Sequence, residues 1–362
     1  MSLFLELLQI SLGTRRSLTQ KPSTNEWIEV FKMSQTQTIT GLLLDGLELL
    51  SMEERPPLPL LLEWIGTVQV IEQQYVIHRT VAAKTLKCLT EGGITVAFMK
   101  GLICGARYSH PARRQCGDID FVVSEDDFQR TLDQLEKIGE VDRDLVHEHH
   151  GMVYVDGINL EPHYKVHNFQ NPEVDKAMRD MFKEVFPKSL SSTRVGELSL
   201  PSFPPEFECA LLVGHMINHV YAEGLGLRQV VDFMMFVQKE HGATKTERCK
   251  KYLKMMHMER SFRIFACLCE TYLGMHHELL GLEYTEKEKS FAVRLMDDIL
   301  KVGNFGRGAD YLGRNKVFIP IRSYLWVLKR CFMLGYLCPA EARWWPVSKF
   351  VRYFSGKILK KR

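Results

Sequence analysis

Apolar residues recur at helical spacing through the first 54 positions, with polar breaks at "GTRRS" and "KPSTNEW". In the second break, Ser23 or Thr24 is placed to cap a helix. That helix carries Glu26 in its first turn and Ile28, Val30 and Phe31 on its apolar side. "ERPPLPL", residues 54–60, reads as a linker, because consecutive prolines cannot continue a helix. One long helix is predicted from about Leu61 to Glu91, stopped by Gly92-Gly93. The period then changes. "ITVAFMK", residues 94–100, is a β-branched and apolar strand, Gly101 ends it, and "LICGARY" predicts a short helix. "HPARRQCG" is a loop, and "DIDFVV", residues 118–123, is a second strand. Ser124 is placed to cap a following helix to about Ile138, with Glu125, Asp126 and Asp127 in its first turn. "MVYV" and "INLEPH" around Asp156-Gly157 predict a hairpin. From Pro205 onward the pattern is helical again, with stops at Gly224 and Gly242 and further helices to about Val302. The whole predicts an α+β fold: a small mixed sheet over 61–204, an N-terminal helical segment over 1–60, and a helical domain with a basic tail over 205–362.

Composition narrows the class without naming a function. The chain has 362 residues, 45% hydrophobic and 25% charged, which is ordinary for a soluble globular protein. A net charge of +3 is too small to argue for nucleic acid. Nine cysteines include no C-x-x-C pair and are odd in number, which predicts reduced thiols and a cytoplasmic setting. The N-terminal apolar run contains Glu6 and precedes its arginines, the wrong order for a signal peptide. No apolar run reaches the length of a transmembrane helix. The tail from Trp344 carries basic and aromatic residues and no acidic one, so it reads as a solvated terminal helix with a weak signal for membrane-surface contact.

The candidate chemistry lies in "DIDFVV". Asp118 and Asp120 share one face of a strand, while Ile119, Phe121 and Val123 take the other. Two carboxylates on one face repel each other, and a divalent cation between them reverses the sign. Mg²⁺ is commonly held by a few carboxylates plus substrate phosphates. In the hairpin, Asn159, Glu161 and His163 share a face. If that strand lies beside "DIDFVV", Glu161 joins the two aspartates, and three carboxylates suffice for two ions about 3.5–4 Å apart. Gly101 offers unobstructed backbone to a phosphate, and Lys100, Arg113 and Arg114 offer positive charge.

The order strand, "KG", helix, loop, "GDIDFVV", helix, then "LEPH" resembles the nucleotidyltransferases of the DNA polymerase β superfamily. It is most similar to a branch with a "KG" start that is often associated with polysaccharide biosynthesis. "GHMINHVYAEGLGLRQVVDFMMF" and "GNFG" extend the resemblance over roughly residues 60–310. The resemblance implies a metal site of Mg²⁺ or Mn²⁺ at Asp118, Asp120 and Glu161, and phosphate contact near Gly101. It implies an NTP as substrate and leaves the acceptor, a small molecule, sugar or protein, unidentified. The chain departs from the superfamily at Lys100-Gly101, where a Gly-Ser or Gly-Gly pair is common.

Other polar groups have plainer readings. His163 is placed to bind phosphate or orient Glu161. "HEHH", residues 147–150, is a candidate metal cluster, but it sits in an apparent loop without partners to orient the rings, so a plain loop is expected. His215 and His219 are i,i+4 but lack the glutamate of H-E-x-x-H, so packing or lining of a cleft is expected. Arg228 and Asp232, also i,i+4, read as an ion pair, and Phe233 and Phe236 as core. Two alternatives to an active nucleotidyltransferase are a catalytically degenerate binding or regulatory protein of the same fold, and a D-x-D glycosyltransferase. The second is disfavoured because Lys100-Gly101 precedes the aspartates so closely.

Overall fold

The computed structural model describes residues 2–143, 150–307 and 319–359. Four helices open the chain: α1 (Leu3–Ser11), α2 (Thr24–Thr36), α3 (Thr40–Leu49) and α4 (Leu58–Glu91). Ser23 caps α2. Its hydroxyl accepts from the Glu26 N–H at 3.3 Å, and the Glu26 carboxylate accepts from the Ser23 N–H at 2.7 Å, a reciprocal cap. The long helix α4 begins inside the proline run, earlier than the sequence suggests. Pro59 is tolerated in its first turn, because an N–H there has no intrahelical partner to lose.

The described residues form one mixed sheet of seven strands, in the order β3-β4-β5-β2-β1-β7-β6. The strands are β1 (Ala97–Met99), β2 (Asp118–Val122), β3 (Glu140–Asp142), β4 (Met152–Val155), β5 (Ile158–His163), β6 (Ser191–Val195) and β7 (Leu198–Ser202). The hairpin β4-β5 turns at Asp156-Gly157 as the sequence predicts, with Val155 paired to Ile158. Strand β6 is mostly polar and β3 and β7 are only three and five residues long, too short for a strand period to stand out. All three were invisible in the pattern. Short helices α5 (Gly101–Gly105), α6 (Phe128–Leu135) and α7 (Pro172–Val185) connect the strands. Helix α6 starts later than expected, because the Ser124 hydroxyl accepts from the Asp127 N–H at 3.1 Å and closes a turn instead of capping the helix.

Seven further helices follow: α8 (Pro205–Ala222), α9 (Leu227–Thr244), α10 (Glu247–Met255), α11 (Glu259–Leu268), α12 (Glu286–Val302), α13 (Ile319–Leu334) and α14 (Pro339–Leu359). The two faces of the sheet have different neighbours. Ile119, Phe121, Val123 and Leu160 pack against Val81, Ala82 and Leu89 of α4 and Leu132 and Leu135 of α6. On the opposite face, Met99 and Val122 join the core of the later helices. The first helices belong to that same core, since Phe4, Leu8 and Trp27 cluster with Phe233 and Phe236. Short helices cannot bury their own apolar faces. Gln37 ties the two ends of the chain together. Its amide donates to Ile299 O at 2.8 Å and accepts from Leu227 N at 2.9 Å.

Candidate active site

Strands β2 and β5 run parallel. Asp118 lies opposite Asn159, Asp120 opposite Glu161, and Val122 opposite His163. Adjacent strands are about 4.8 Å apart, so the side chains of Asp120 and Glu161 are lateral neighbours. Val81, Ala82 and Leu89 of α4 pack on the other face, and this face is turned to the later helices. It opens on a cleft of about 570 Å³, within the range of small-molecule sites. Asp118, Asp120, Glu161 and His163 line the cleft with Lys100 and Gly101. The far wall comes from the later helices: His215 and His219 of α8, Arg228 of α9, and Asn304-Phe305 after α12. Neither the sheet nor the helical layer would enclose this space alone.

A sharp backbone turn brings Lys100 into the cleft. Lys100 sits at φ 55, unusual for a residue with a Cβ. Its ammonium lies 2.8 Å from Asp120 Oδ1. His163 Nε2 approaches the same oxygen at 2.9 Å. A Cβ at Gly101 would stand 2.7 Å from Cys116 Sγ and 3.3 Å from Asp118 O, so a larger residue there would have to displace the Cys116 side chain. The chain therefore passes close under the aspartates, at the place where the resemblance implies a phosphate.

The carboxylates are electrostatically unequal. Burial pushes Asp120 up, but Lys100 and His163 outweigh it and hold the group well below the usual carboxylate range. Asp118 is raised by burial and by the charge of Asp120. Glu161 is raised to about 7 by burial and by both aspartates. Burial lowers His163 despite its bond to Asp120. Burial also lowers His215 and brings His219 down to about 3, so both rings are neutral donors or acceptors. Their Nε2 atoms lie 3.1 Å apart.

The three sequence-derived arginine roles change in the structure. Arg113 does not line the cleft. Its guanidinium is held at 2.5 Å by Asp45, 2.8 Å by Glu48 and 3.0 Å by Glu72, linking the loop to α3 and α4. Arg114 reaches the cleft wall but is buried against Asp232 at 2.6 Å, and Tyr108 OH donates to the same carboxylate at 2.8 Å. The expected Arg228–Asp232 pair is therefore absent, because Arg114 occupies the partner position across the fold. Arg228 is left as a half-buried cation on the cleft. One amino group donates to Gln115 O at 3.1 Å, and Nε has no hydrogen-bond partner among the described residues. Burial and neighbouring Arg114 lower its proton affinity. Sequence reading missed this free cation, since helical spacing pointed to a satisfied pair. It also placed His150 in a loop, whereas the structure bridges it to His163 and sets it on the cleft. The other members of that histidine run, residues 147–149, lie outside the described residues.

Three carboxylates converging against one ammonium fit a hard divalent cation, which would balance the excess negative charge. Comparison with curated proteins gives no match. A solved structure, an antigenic nucleotidyltransferase-like protein from Paracoccidioides brasiliensis, resembles the chain at 12% identity and a TM-score of 0.33. The likeness covers 56% of this chain and 96% of the other. A family model described as "Uncharacterised nucleotidyltransferase" matches residues 23–274, which include all of the sheet and the cleft residues up to α11. The chain belongs to that nucleotidyltransferase family.

Proposed function

We propose that this chain is a metal-dependent nucleotidyltransferase. It moves a nucleotidyl group from an NTP to an acceptor hydroxyl or phosphate and releases pyrophosphate. The observation that carries this reading is the lateral pairing of Asp120 with Glu161 on the cleft face of the sheet. Asp118, Asp120 and Glu161 are the residues that would hold Mg²⁺ or Mn²⁺. When bound, such ions neutralise the polyphosphate and the charge of an in-line displacement. Lys100 and Arg228 bring positive charge to the same cleft, and Gly101 gives phosphate close access to the backbone. His163 holds Asp120 in position. The acceptor oxygen forms a bond to the α-phosphorus as the bond to the bridging oxygen breaks. Pyrophosphate leaves with the electron pair, and the acceptor proton passes to water. A sugar phosphate, the kind of acceptor used in polysaccharide assembly, is the first class to test.

One observation favours a second reading, a nucleotide-binding protein without turnover. The Lys100 ammonium at 2.8 Å already satisfies Asp120 without a metal. A single experiment separates the two. Each of the four NTPs is titrated calorimetrically with and without Mg²⁺, and pyrophosphate release is followed with sugar-phosphate acceptors. The enzyme reading expects Mg²⁺-dependent binding that Asp120→Asn weakens by about a hundredfold, the effect of removing several kcal/mol of charge stabilisation. Glu161→Gln is expected to lower turnover far more than NTP affinity. Metal-independent binding without pyrophosphate release would favour the second reading.

The proposal extends to where the protein works. No helix of the described residues is long and apolar enough to cross a membrane. Helix α13 nevertheless exposes Ile321, Leu325, Leu328 and Phe332, one stripe at i, i+4, i+7 and i+11, with Phe332 92% exposed. Helix α14 adds exposed Trp344, Val347 and Val351. Arg322, Lys329 and Arg343 are exposed on the same two helices, and the one acidic residue described on either helix, Glu341, is buried. Apolar stripes on helices whose exposed charges are cationic complement an anionic lipid surface. Cosedimentation is expected with phosphatidylserine vesicles and not with phosphatidylcholine vesicles, and Phe332→Asp is expected to abolish it. A concentration-dependent dimer without vesicle binding would assign the face to a second copy instead.

A further inference from the structure

A second donor group lies beside the aspartates, and its chemistry differs from theirs. His150 Nε2 stands 3.9 Å from Glu161 Oε2, and His163 Nε2 stands 3.8 Å from the same oxygen. One donor atom from each of the three residues falls within 4.8 Å of the other two. The two rings are held by backbone, not by loop chance. His163 ends β5, and His150 bridges to it antiparallel, with ring centroids 5.0 Å apart. Both contacts to Glu161 exceed hydrogen-bond length. Two imidazole nitrogens therefore surround one carboxylate oxygen across a gap instead of bonding to it.

We propose that His150, Glu161 and His163 form a nitrogen-and-oxygen site for a transition-metal ion of the Zn²⁺ class, sharing Glu161 with the all-oxygen position at Asp118 and Asp120 but distinct from it in preference. The proposal rests on reading the cleft as a nucleotidyl-transfer centre. Three points carry it. Mg²⁺ favours oxygen ligands and dehydrates reluctantly, whereas imidazole suits zinc, iron, copper and nickel. A tetrahedral ion with ligands at about 2.0–2.1 Å sets them roughly 3.4 Å apart, so the two gaps to Glu161 need to close by about half an ångström. Three protein ligands leave a fourth position open, and all three residues line the cleft, so that position faces the substrate space. Asp120 Oδ1, 2.9 Å from His163 Nε2, gives up that contact when Nε2 takes the ion and lies close enough to complete the set. Loading the ion moves the His163 Nε2 proton to Nδ1 or to solvent and leaves the ring neutral.

The test uses the full chain freed of metal by chelation and titrated with Co²⁺, Mn²⁺, Zn²⁺ and Mg²⁺, with Co²⁺ also followed by its visible d–d absorption. The expected result is one equivalent of Co²⁺ bound at least about a hundredfold more tightly than Mg²⁺, with the intense absorption of a four- or five-coordinate ion. His150→Ala is expected to weaken Co²⁺ at least about tenfold and to lose that absorption, and Glu161→Gln to do the same. Thermal unfolding of each variant checks that it is folded. Equal Co²⁺ affinity in the wild type and in both folded variants overturns the site, as does Co²⁺ binding no tighter than Mg²⁺. Mg²⁺-dependent ATP binding on the same samples separates the two claims. A cobalt site without ATP binding supports this site and defeats the nucleotidyl-transfer reading. ATP binding without a cobalt site does the reverse.

Discussion

Two buried carboxylate groups meet at the cleft, and they are built on opposite principles. Asp232 is saturated: Arg114 reaches it through two nitrogens at 3.1 and 2.6 Å, and Tyr108 OH donates at 2.8 Å. Asp118, Asp120 and Glu161 are under-compensated. They have one ammonium at hydrogen-bond distance, and two of the three are held above the ordinary carboxylate range. A buried charge paired this way fixes structure, since its neutralising partner is already supplied by the chain and little accepting capacity is left for a ligand. An under-compensated one holds negative charge that a cation can neutralise. Perturbed carboxylates gathered in a cleft are the signature of a functional site.

That contrast is open to direct attack. The largest effect is expected at Asp232. Arg114→Met leaves its charge uncompensated and is expected to cost about 3–5 kcal/mol of stability, read from urea unfolding. Neutralising both partners together should recover most of the loss. A small loss in the single variant would mean that Asp232 is not the structural member of the comparison. A smaller effect of opposite sign is expected at Asp118. In metal-free protein at pH 8, Asp118→Asn removes like-charge repulsion and should stabilise by on the order of 1 kcal/mol. Saturating Mg²⁺ should erase that gain. A destabilised Asp118→Asn without metal would count against an under-compensated cluster.

The third effect is read as a slope with pH. His219 faces His215, Lys100, Arg228 and Asp120, and burial brings it down to about 3 from an ordinary value of 6.5. Between those values the unfolded chain takes up a proton that the folded ring refuses. The stability this group contributes is complete above about pH 6.5 and is lost as pH falls towards 3. His219→Gln should flatten the acid limb of the stability curve by up to about 1.4 kcal/mol per pH unit. An unchanged slope would show that His219 is protonated in the folded state and is part of the cleft's cationic lining.

Local rules in the chain settled much of the fold and part of the site. Alternation placed Asp118 and Asp120 together and Ile119 and Phe121 opposite them, because a strand has a period of two. The Asp156-Gly157 turn set the register of β4 against β5, and hence which residues share a face with Glu161. Capping at Ser23 was equally local. Arg113, Arg114 and Arg228 were not legible. A guanidinium on a long side chain takes whichever carboxylate the fold brings near, and Asp45 and Asp232 lie far off in the chain.

Sequence alone therefore determined the strand faces, the hairpin and the acidic pair, since each depends on residues within a few positions of one another. Tertiary structure decided the rest. It laid β5 parallel to β2, so that Glu161 stands beside Asp120 and His163 bonds to it. It brought α8 and α9 across the sheet to close the cleft, and it gave Asp232 to Arg114, leaving Arg228 uncommitted. The reason is physical. Periodicity encodes which side of an element is apolar, but the partner of a charge depends on which elements meet. That is set by burying the apolar faces of the whole chain at once.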